Sequence, residues 1–254
     1  MDPVIELSPD QRVIFFTGAG MSKESGMHVY RGQGGIWSKY RYQEFACQRA
    51  FDRDPAKVID FHEMRRAHAL SCQPHAGYLR MAEIQRAIPK TSVVTQNIDG
   101  LHQRAGVRVA AELHGSLWRV RCRTHGVTED LAAAPYQRRE CEQCGALLRP
   151  DITWFEDSVD ARVFALAARL IEACDVFIAI GTSGVVWPAA GFAQQARDAG
   201  ARMIEINPED NEASPLYEVR LRMPASQALT SQLVVGASES AAAARSGLPD
   251  PSGP

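Results

Sequence analysis

A charge excess of either sign, a long apolar run and a basic leader are all missing from this sequence. Its 28 lysine and arginine residues are balanced by 30 acidic residues, so the formal net charge is -2 and the electrostatic footprint of a nucleic-acid partner is absent. No apolar run approaches the ~18 residues of a membrane span, and Asp2 and Glu6 stand where a signal peptide would be basic. We therefore expect a cytoplasmic protein with no nucleic-acid or membrane partner.

Cysteine is scarce, with six residues in a chain of 254. In a reducing compartment, cysteines that cluster are more typical of metal ligands than of disulfides. Three of the six are scattered along the chain, which favours small buried apolar side chains. These scattered residues are Cys47, Cys72 and Cys174.

The other three cysteines belong to two chelating pairs, Cys122-x-x-His125 and Cys141-x-x-Cys144. A spacer of fifteen residues between the pairs is typical of a structural zinc ribbon. Imidazole binds zinc well, so His125 can supply the fourth ligand, and four protein ligands leave no open position for catalysis. The alternative is that His125 is a bystander and that the site has degenerated.

Short β-branched or aromatic runs that end at Gly, Asn or Thr predict four buried parallel strands, at residues 12–17, 91–96, 175–181 and 201–207. Helical patterns lie between them, at residues 56–70, 74–87, 161–173 and 188–199. This alternation predicts an α/β fold with a doubly wound, Rossmann-like parallel sheet. Ligands of such sheets bind at the carboxyl ends of the strands.

Two polar or glycine-rich stretches interrupt the alternation and divide the chain. We expect a discontinuous nucleotide-binding domain of residues 1–31, 72–118 and 153–235. Residues 32–71 and 119–152 form a smaller helical and zinc-binding domain beside it. Residues 236–254 are rich in Ala, Ser, Gly and Pro, and this composition predicts a disordered tail.

A glycine turn, Gly18-Ala19-Gly20, follows the first predicted strand. Glycines at such a turn let backbone N–H groups approach a phosphate. The common dinucleotide fingerprint places its third glycine three residues after the second, whereas Gly26 is six residues after Gly20. The fingerprint therefore fails, and the interpretation depends on the polar groups that follow the other strands.

Polar clusters follow all four predicted strands, which makes simple turn chemistry a poor explanation. In family order, the Gly-Ala-Gly-x-Ser turn, Thr-Gln-Asn-Ile-Asp, Leu-His-Gly, the cysteine pairs, Trp-Phe and Gly-Thr-Ser resemble the sirtuin family of NAD-dependent protein-lysine deacylases. The resemblance covers residues 10–235. Bacterial members, and the branch that removes acidic acyl groups, are the nearest.

The resemblance implies that the acyl group of a modified lysine is transferred to ADP-ribose, with release of nicotinamide and O-acyl-ADP-ribose. His114 is then the base that deprotonates a ribose hydroxyl, and Asn97 is the other catalytic residue. The implied cofactors are NAD and Zn²⁺, and the partners are acyl-lysine proteins or peptides. The implied NAD contacts are Gly18, Ala19, Gly20, Ser22, Tyr30, Arg31, Gln96, Asn97, Asp99, Gly181, Thr182, Ser183, Asn207 and Ala225. His102 and His75 are expected to be structural.

The acyl group is the part of the substrate that the sequence specifies least. The acidic-acyl branch carries Tyr-x-x-Arg where this chain has His62-Glu63-Met64-Arg65. Arg65 can pair bidentately with an acyl carboxylate, the alternative being a solvated helix arginine. Lys23 either adds charge to this pocket or fills it, and Glu156 replaces a usual glycine of the peptide-binding segment. The substrate contacts implied in this way are Lys23, His62, Arg65, Trp154, Phe155 and Val185.

Two other functions use the same residues. An ADP-ribosyltransferase or NAD hydrolase would keep the NAD chemistry and change the acceptor. A non-catalytic module would sense NAD or use its zinc site for interactions. His114 together with Asn97 and Asp99 favours the deacylase, because neither alternative needs the base.

Overall fold

A parallel sheet of six strands forms the centre of the molecule, in a computed structural model that describes residues 3–30 and 34–236. The strands are β1 Ile5–Leu7, β2 Val13–Thr17, β3 Ser92–Thr95, β4 Val109–Glu112, β5 Gly115–Cys122, β6 Gly126–Glu129, β7 Arg149–Ile152, β8 Val176–Ile180, β9 Arg202–Ile206, β10 Val219–Leu221 and β11 Leu233–Val235. The helices are α1 Ile36–Lys39, α2 Tyr42–Phe45, α3 Gln48–Arg53, α4 Pro55–Ser71, α5 Ala76–Ala87, α6 Leu101–Arg104, α7 Ala161–Glu172, α8 Gly191–Asp198 and α9 Ala225–Ser231. The central strand order is β10-β9-β8-β2-β3-β4.

The sheet is apolar on both faces because helices cover both. All five residues of β2 are buried, and alternate side chains point to opposite faces of a strand. Val13 and Phe15 join the core that contains residues of α5 and α9, while Ile14 and Phe16 join the core that contains residues of α7 and α8. The predicted doubly wound sheet is therefore confirmed.

Local signals set the starts of the long helices. Asp54 accepts a hydrogen bond from the Lys57 backbone N–H at 3.1 Å before α4, and Asp160 does the same for α7, as capping residues do. The expectation of a helix from residue 188 is wrong, because residues 187–190 form a turn and α8 begins at Gly191. The Gly191 N–H bonds the Pro188 carbonyl, which closes this turn before the helix begins.

A smaller layer lies beside the main sheet. It contains the antiparallel sheet β6-β5-β7, and α4 contacts both β5 and β7. The two sequence segments that interrupt the α/β alternation thus pack together. The exact division into two domains remains a prediction, and β5 already begins at Gly115, four residues before the predicted boundary at 119.

A buried arginine joins the smaller layer to the main sheet. Arg66 of α4 is fully buried and forms an ion pair with Asp130 at 2.8 Å. Its guanidinium lies between the rings of Trp118 and Tyr136, 4.8 and 4.5 Å from their centroids. The Trp118 indole in turn donates to the Asp99 carbonyl at 3.0 Å, so this contact connects the zinc-binding segment to the edge of the candidate site.

The isolated cysteines are buried and free, as predicted. No helix within residues 3–30 and 34–236 has the length and apolar character needed to cross a membrane. Arg31 and residues 237–254 of the predicted tail lie outside the described residues.

Candidate active site

One cavity of about 840 Å³ opens at the carboxyl ends of the central strands. Residues that follow β2, β3, β4, β8 and β9 all line it, as expected for a doubly wound sheet. The predicted residues among them are Gly18, Ala19, Gly20, Lys23, Tyr30, His62, Arg65, Gln96, Asn97, His114, Trp154, Phe155, Gly181, Thr182, Ser183, Val185 and Asn207. The structure thus brings together most of the residues that the sequence selected.

The glycine turn packs directly on the end of the neighbouring strand. A Cβ added to Gly18 would lie 2.7 Å from the Gly181 carbonyl oxygen, and one added to Gly20 would lie 2.7 Å from the Gly181 Cα. Side chains are therefore excluded from both positions. Residues Ala19–Ser25 continue as a 3-10 helix, so backbone, rather than side chains, forms this wall of the cavity.

His114 is held as a neutral ring with one free nitrogen. Its Nδ1 lies 3.1 Å from the Gln96 carbonyl oxygen, and because a carbonyl only accepts, Nδ1 carries the proton. Burial lowers the pKa of His114, which favours the neutral form at neutral pH. Nε2 has no polar partner in the described part of the chain and can take up a proton.

Asn97 has its amide orientation fixed by two acceptors. Its Nδ2 donates to the Gly18 carbonyl at 2.9 Å and to Ser22 Oγ at 3.0 Å. Both amide hydrogens are thereby used. The Oδ1 atom accepts no hydrogen bond from the residues in the two described ranges, which leaves it available to a ligand hydroxyl.

Three predicted NAD contacts do not line the cavity. Ser22 and Asp99 are buried and hydrogen-bonded to each other at 2.6 Å, beneath Asn97. Ala225 begins α9, which packs on the 3-10 helix of residues 19–25. These residues can act on a ligand only through neighbours unless side chains move.

Two other histidines have structural positions, as predicted. His102 is buried, and its Nε2 lies 3.1 Å from Thr17 Oγ1. Burial lowers the pKa of His102 to about 3, so its ring is neutral. His75 accepts from the Gly77 N–H at 3.0 Å at the start of α5, and its Nε2 lies 2.8 Å from the Met21 carbonyl oxygen.

Arg65 is a buried cation that lines the cavity. It is 4% exposed, so the alternative of a solvated helix arginine is wrong. Its Nε is fully buried without a hydrogen-bond partner, and its guanidinium forms no ion pair with any described residue. The Tyr30 ring lies over it, 4.9 Å from the guanidinium carbon. A buried cation of this kind is costly unless a ligand anion completes it.

His62, one helical turn away, has no nitrogen free for a ligand. The Trp154 indole Nε1 donates to His62 Nε2 at 3.1 Å, and His62 Nδ1 donates to the Val58 carbonyl at 2.8 Å. Burial lowers the pKa of His62 to about 4. Its role at the cavity wall is therefore to fix Trp154 rather than to hold a charged group.

The rim of the cavity has a strained residue and an exposed cation. Lys23 is exposed beside the glycine turn. Glu156 has φ 74°, a left-handed backbone conformation that favours glycine, and its carboxylate pairs with Arg49. Phe155 stacks on Tyr42, with ring centroids 4.2 Å apart. The segment after β7 thus has a fixed aromatic side and a solvated edge.

The two chelating pairs meet at the edge of the small sheet. The ligand atoms of Cys122, His125, Cys141 and Cys144 all lie within 4.8 Å of one another. Nδ1 of His125 is 3.6 Å from Cys122 Sγ and 3.3 Å from Cys141 Sγ, and the sulfurs of Cys122 and Cys144 are 3.7 Å apart. Tetrahedral zinc with ordinary bond lengths would place sulfurs ~3.8 Å apart and sulfur and nitrogen ~3.6 Å apart. The donor set and its spacing fit Zn²⁺.

Several residues that line or support the cavity were not predicted from the sequence. Asn211 Nδ2 donates to Glu205 and to the Thr182 carbonyl, and it lines the cavity with Trp187. Tyr78 contacts Ser22 from beneath. Asn211 and Trp187 lie in the connections that follow β9 and β8, a position that could have selected them. Nothing in the sequence around Tyr78 distinguishes it from a core tyrosine of a helix.

The chain is similar to known proteins over most of its length. The Sir2 family model matches residues 18–188. The NAD-dependent protein deacylase 2 of Pyrobaculum aerophilum is 40% identical over 224 residues, which are 88% of this chain and 90% of that protein. The chain therefore belongs to the Sir2 family.

Solved structures agree with this assignment. A variant of a Sir2 homologue in complex with ADP-ribose has a TM-score of 0.81 and 36% identity, covering 87% of this chain and 90% of that chain. A Sir2 homologue–NAD complex has a TM-score of 0.79 and 36% identity, covering 87% and 88%.

Proposed function

We propose that the chain is an NAD-dependent protein-lysine deacylase that releases nicotinamide and O-acyl-ADP-ribose. The observation that carries this proposal is the neutral ring of His114, with Nδ1 held by the Gln96 carbonyl and Nε2 free. NAD, when bound, supplies the ribose hydroxyl that takes up the acyl group. Relatives of this chain are named NAD-dependent protein deacylases, which supports the same reaction.

Some groups of the chain bind NAD, and His114 transfers a proton. The backbone of Gly18–Gly20 approaches the phosphates, and Thr182, Ser183 and Asn207 line the adenosine end. Oδ1 of Asn97 accepts from a ribose hydroxyl, because both hydrogens on its nitrogen are used elsewhere. Nε2 of His114 then removes the proton from the attacking hydroxyl.

Arg65 supports a preference for acyl groups that end in a carboxylate, such as succinyl or malonyl. Its guanidinium is buried at the cavity wall without an anionic partner in the described chain, and a carboxylate can accept two parallel hydrogen bonds from it. His62 cannot assist, since both of its nitrogens are engaged. Lys23 at the rim adds a second positive charge.

The acyl-lysine peptide lies along the segment after β7. Trp154 and Phe155 are the aromatic lining residues there, and Val185 also lines the cavity. A substrate peptide can be added beside this segment as an extra strand. Glu156 places a side chain at this edge, which alters the sequence preference of the peptide.

The zinc site and the domain division complete the proposal. Three cysteines and His125 hold one Zn²⁺ as a closed structural site, remote from proton transfer. Residues 32–71 and 119–152 form the small domain, and the rest of residues 1–235 form the nucleotide-binding domain.

A panel of acyl peptides tests the proposed reaction. The protein is mixed with NAD and with acetyl-, succinyl- or long-chain-acyl-lysine peptides, and nicotinamide is measured. Nicotinamide release that depends on the acyl peptide is the expected result. Free ADP-ribose or ADP-ribosylated protein without deacylation indicates a hydrolase or transferase, and NAD binding without turnover indicates a sensing module.

A further inference from the structure

A buried group of four polar side chains lies beneath the cavity, and one of them has no role in the proposed reaction. Ser22 Oγ is at its centre, 2.8 Å from Tyr78 Oη, 2.6 Å from Asp99 Oδ2 and 3.0 Å from Asn97 Nδ2. All four residues are at most 5% exposed. Tyr78 is the unassigned member, and it reaches this group from α5, below the sheet edge.

Counting hydrogens fixes the direction of each bond. When Asp99 is ionised its oxygens only accept, so the single hydroxyl hydrogen of Ser22 points to Asp99. The amide nitrogen of Asn97 only donates, so it uses one lone pair of Ser22. Ser22 can then offer Tyr78 only its other lone pair, and the tyrosine hydroxyl must be the donor. The chain of donation therefore runs from Tyr78 through Ser22 to Asp99.

We propose that Tyr78 is a positioning residue of the NAD site, which fixes the Ser22 proton and thereby holds Asp99 as a carboxylate. Only the carboxylate form accepts at both oxygens, from Ser22 at Oδ2 and from the Leu101 N–H at Oδ1. Ser22 in turn orients the Asn97 amide at the cavity wall. This inference rests on the NAD-dependent function proposed above. Consecutive hydrogen bonds polarise one another, so the tyrosine strengthens a bond that it does not itself make.

Asp99 needs this support because few groups balance its charge. Its Oδ1 accepts from the Leu101 N–H at 2.9 Å, and within the described ranges it forms no ion pair. Burial raises the pKa of Asp99, against the lowering effect of the Ser22 hydrogen bond.

Other charged or titratable groups face this cluster from every neighbouring element. Arg65 of α4 and Arg104 of α6 lower the pKa of Asp99 from a distance. Cys72, after α4, has its own pKa raised by burial. The rings of His75 and His102 pack on the Tyr78 ring, with centroids 4.8 and 4.9 Å away. None of these groups reaches Ser22, so the hydrogen-bond chain from Tyr78 is a separate effect.

A double-mutant cycle on NAD binding tests this inference. The dissociation constant for NAD is measured by calorimetry from acidic to neutral pH for the wild type, Tyr78→Phe, Ser22→Ala and the double variant. Because Tyr78→Phe removes one hydrogen bond, we expect it to bind NAD about 3–10-fold more weakly than the wild type at acidic pH. The fall in NAD affinity on the acidic side of the pH profile, the acid limb, should also move to higher pH. In the Ser22→Ala background, Tyr78→Phe should add nothing.

Tyr217→Phe is the matched control, because Tyr217 is also a buried tyrosine and does not line the cavity. Equal weakening at every pH, or effects of Tyr78→Phe and Ser22→Ala that add, would overturn the inference. If Tyr78→Phe fails to fold, Ser22→Ala must still move the acid limb upward, and an unmoved limb overturns the inference equally. A wild-type protein that binds no NAD would instead refute the proposed function.

Discussion

The indole of Trp154 donates a hydrogen bond to Nε2 of His62 across 3.1 Å, joining the peptide-binding segment to α4. The other ring nitrogen of His62 donates to the Val58 carbonyl. A protonated ring would place two N–H groups against each other, so this pair requires neutral His62. The hydrogen bond between Trp154 and His62, at the acyl end of the cavity, therefore depends on pH.

His62 contributes to the pH dependence of stability, beside His102 and His114, whose pKa values burial also lowers. Its pKa is about 6.5 unfolded and about 4 folded, so between these values the unfolded state binds more protons. Stability should be complete above the higher value and fall as the pH drops through this window, by about 3 kcal/mol. His62→Gln cannot titrate, and its unfolding free energy in urea should fall less steeply. Parallel pH profiles for the two proteins would contradict this account.

The acyl preference should depend on Arg65. Arg65→Met removes the charge and keeps an apolar stem, and we expect kcat/KM for a succinyl-lysine peptide to fall about 10²-fold. Deacetylation should change only a few-fold, because an acetyl group has no carboxylate. Arg86→Met, an exposed arginine of α5 outside the cavity, is the charge-matched control. Equal losses for both acyl groups would exclude a carboxylate-binding role.

The left-handed backbone conformation of Glu156 should lower the free energy of unfolding. Its φ of 74° disfavours any residue with a Cβ, and Glu156→Gly should raise the unfolding free energy by about 1 kcal/mol. Glu156→Ala separates the causes, since it removes the exposed ion pair with Arg49 and keeps the Cβ. A thermal melt in which Gly and Ala behave alike would show that the backbone is not strained.

The zinc site should require His125. Elemental analysis should find one zinc per chain in the wild type and in His125→Cys, and less in His125→Ala. Chelation should lower the melting temperature, because metal binding contributes to folding. Full zinc retention in His125→Ala would mean that this histidine is a bystander.

The central strands could be predicted because each is buried on both faces and reads as a continuous apolar run. The two edge strands could not: Ala110 of β4 and Arg220 of β10 are exposed, so neither run is distinct from a loop. Contacts between elements that are far apart in the sequence could not be predicted either. The burial of Arg65 depends on how α4 packs.

The candidate site could likewise be predicted only in part from the sequence. Motif order selected His114 and Asn97, whose roles depend on residue type and position after a strand. The locked state of His62 needed the structure, because Trp154 lies 92 positions away. Tyr78 could not be distinguished from ordinary core residues, because its partner Ser22 lies 56 positions away in the sequence.

The identity of the product tests the central claim most directly. Mass spectrometry of a reaction with NAD and an acyl-lysine peptide should detect O-acyl-ADP-ribose, and His114→Ala should reduce its rate of formation by about 10²–10⁴-fold, as loss of a general base does. The variant should still fold and bind NAD, because the His114 side chain hydrogen-bonds only the Gln96 carbonyl in the described chain. Formation of O-acyl-ADP-ribose at the wild-type rate by His114→Ala would contradict the account.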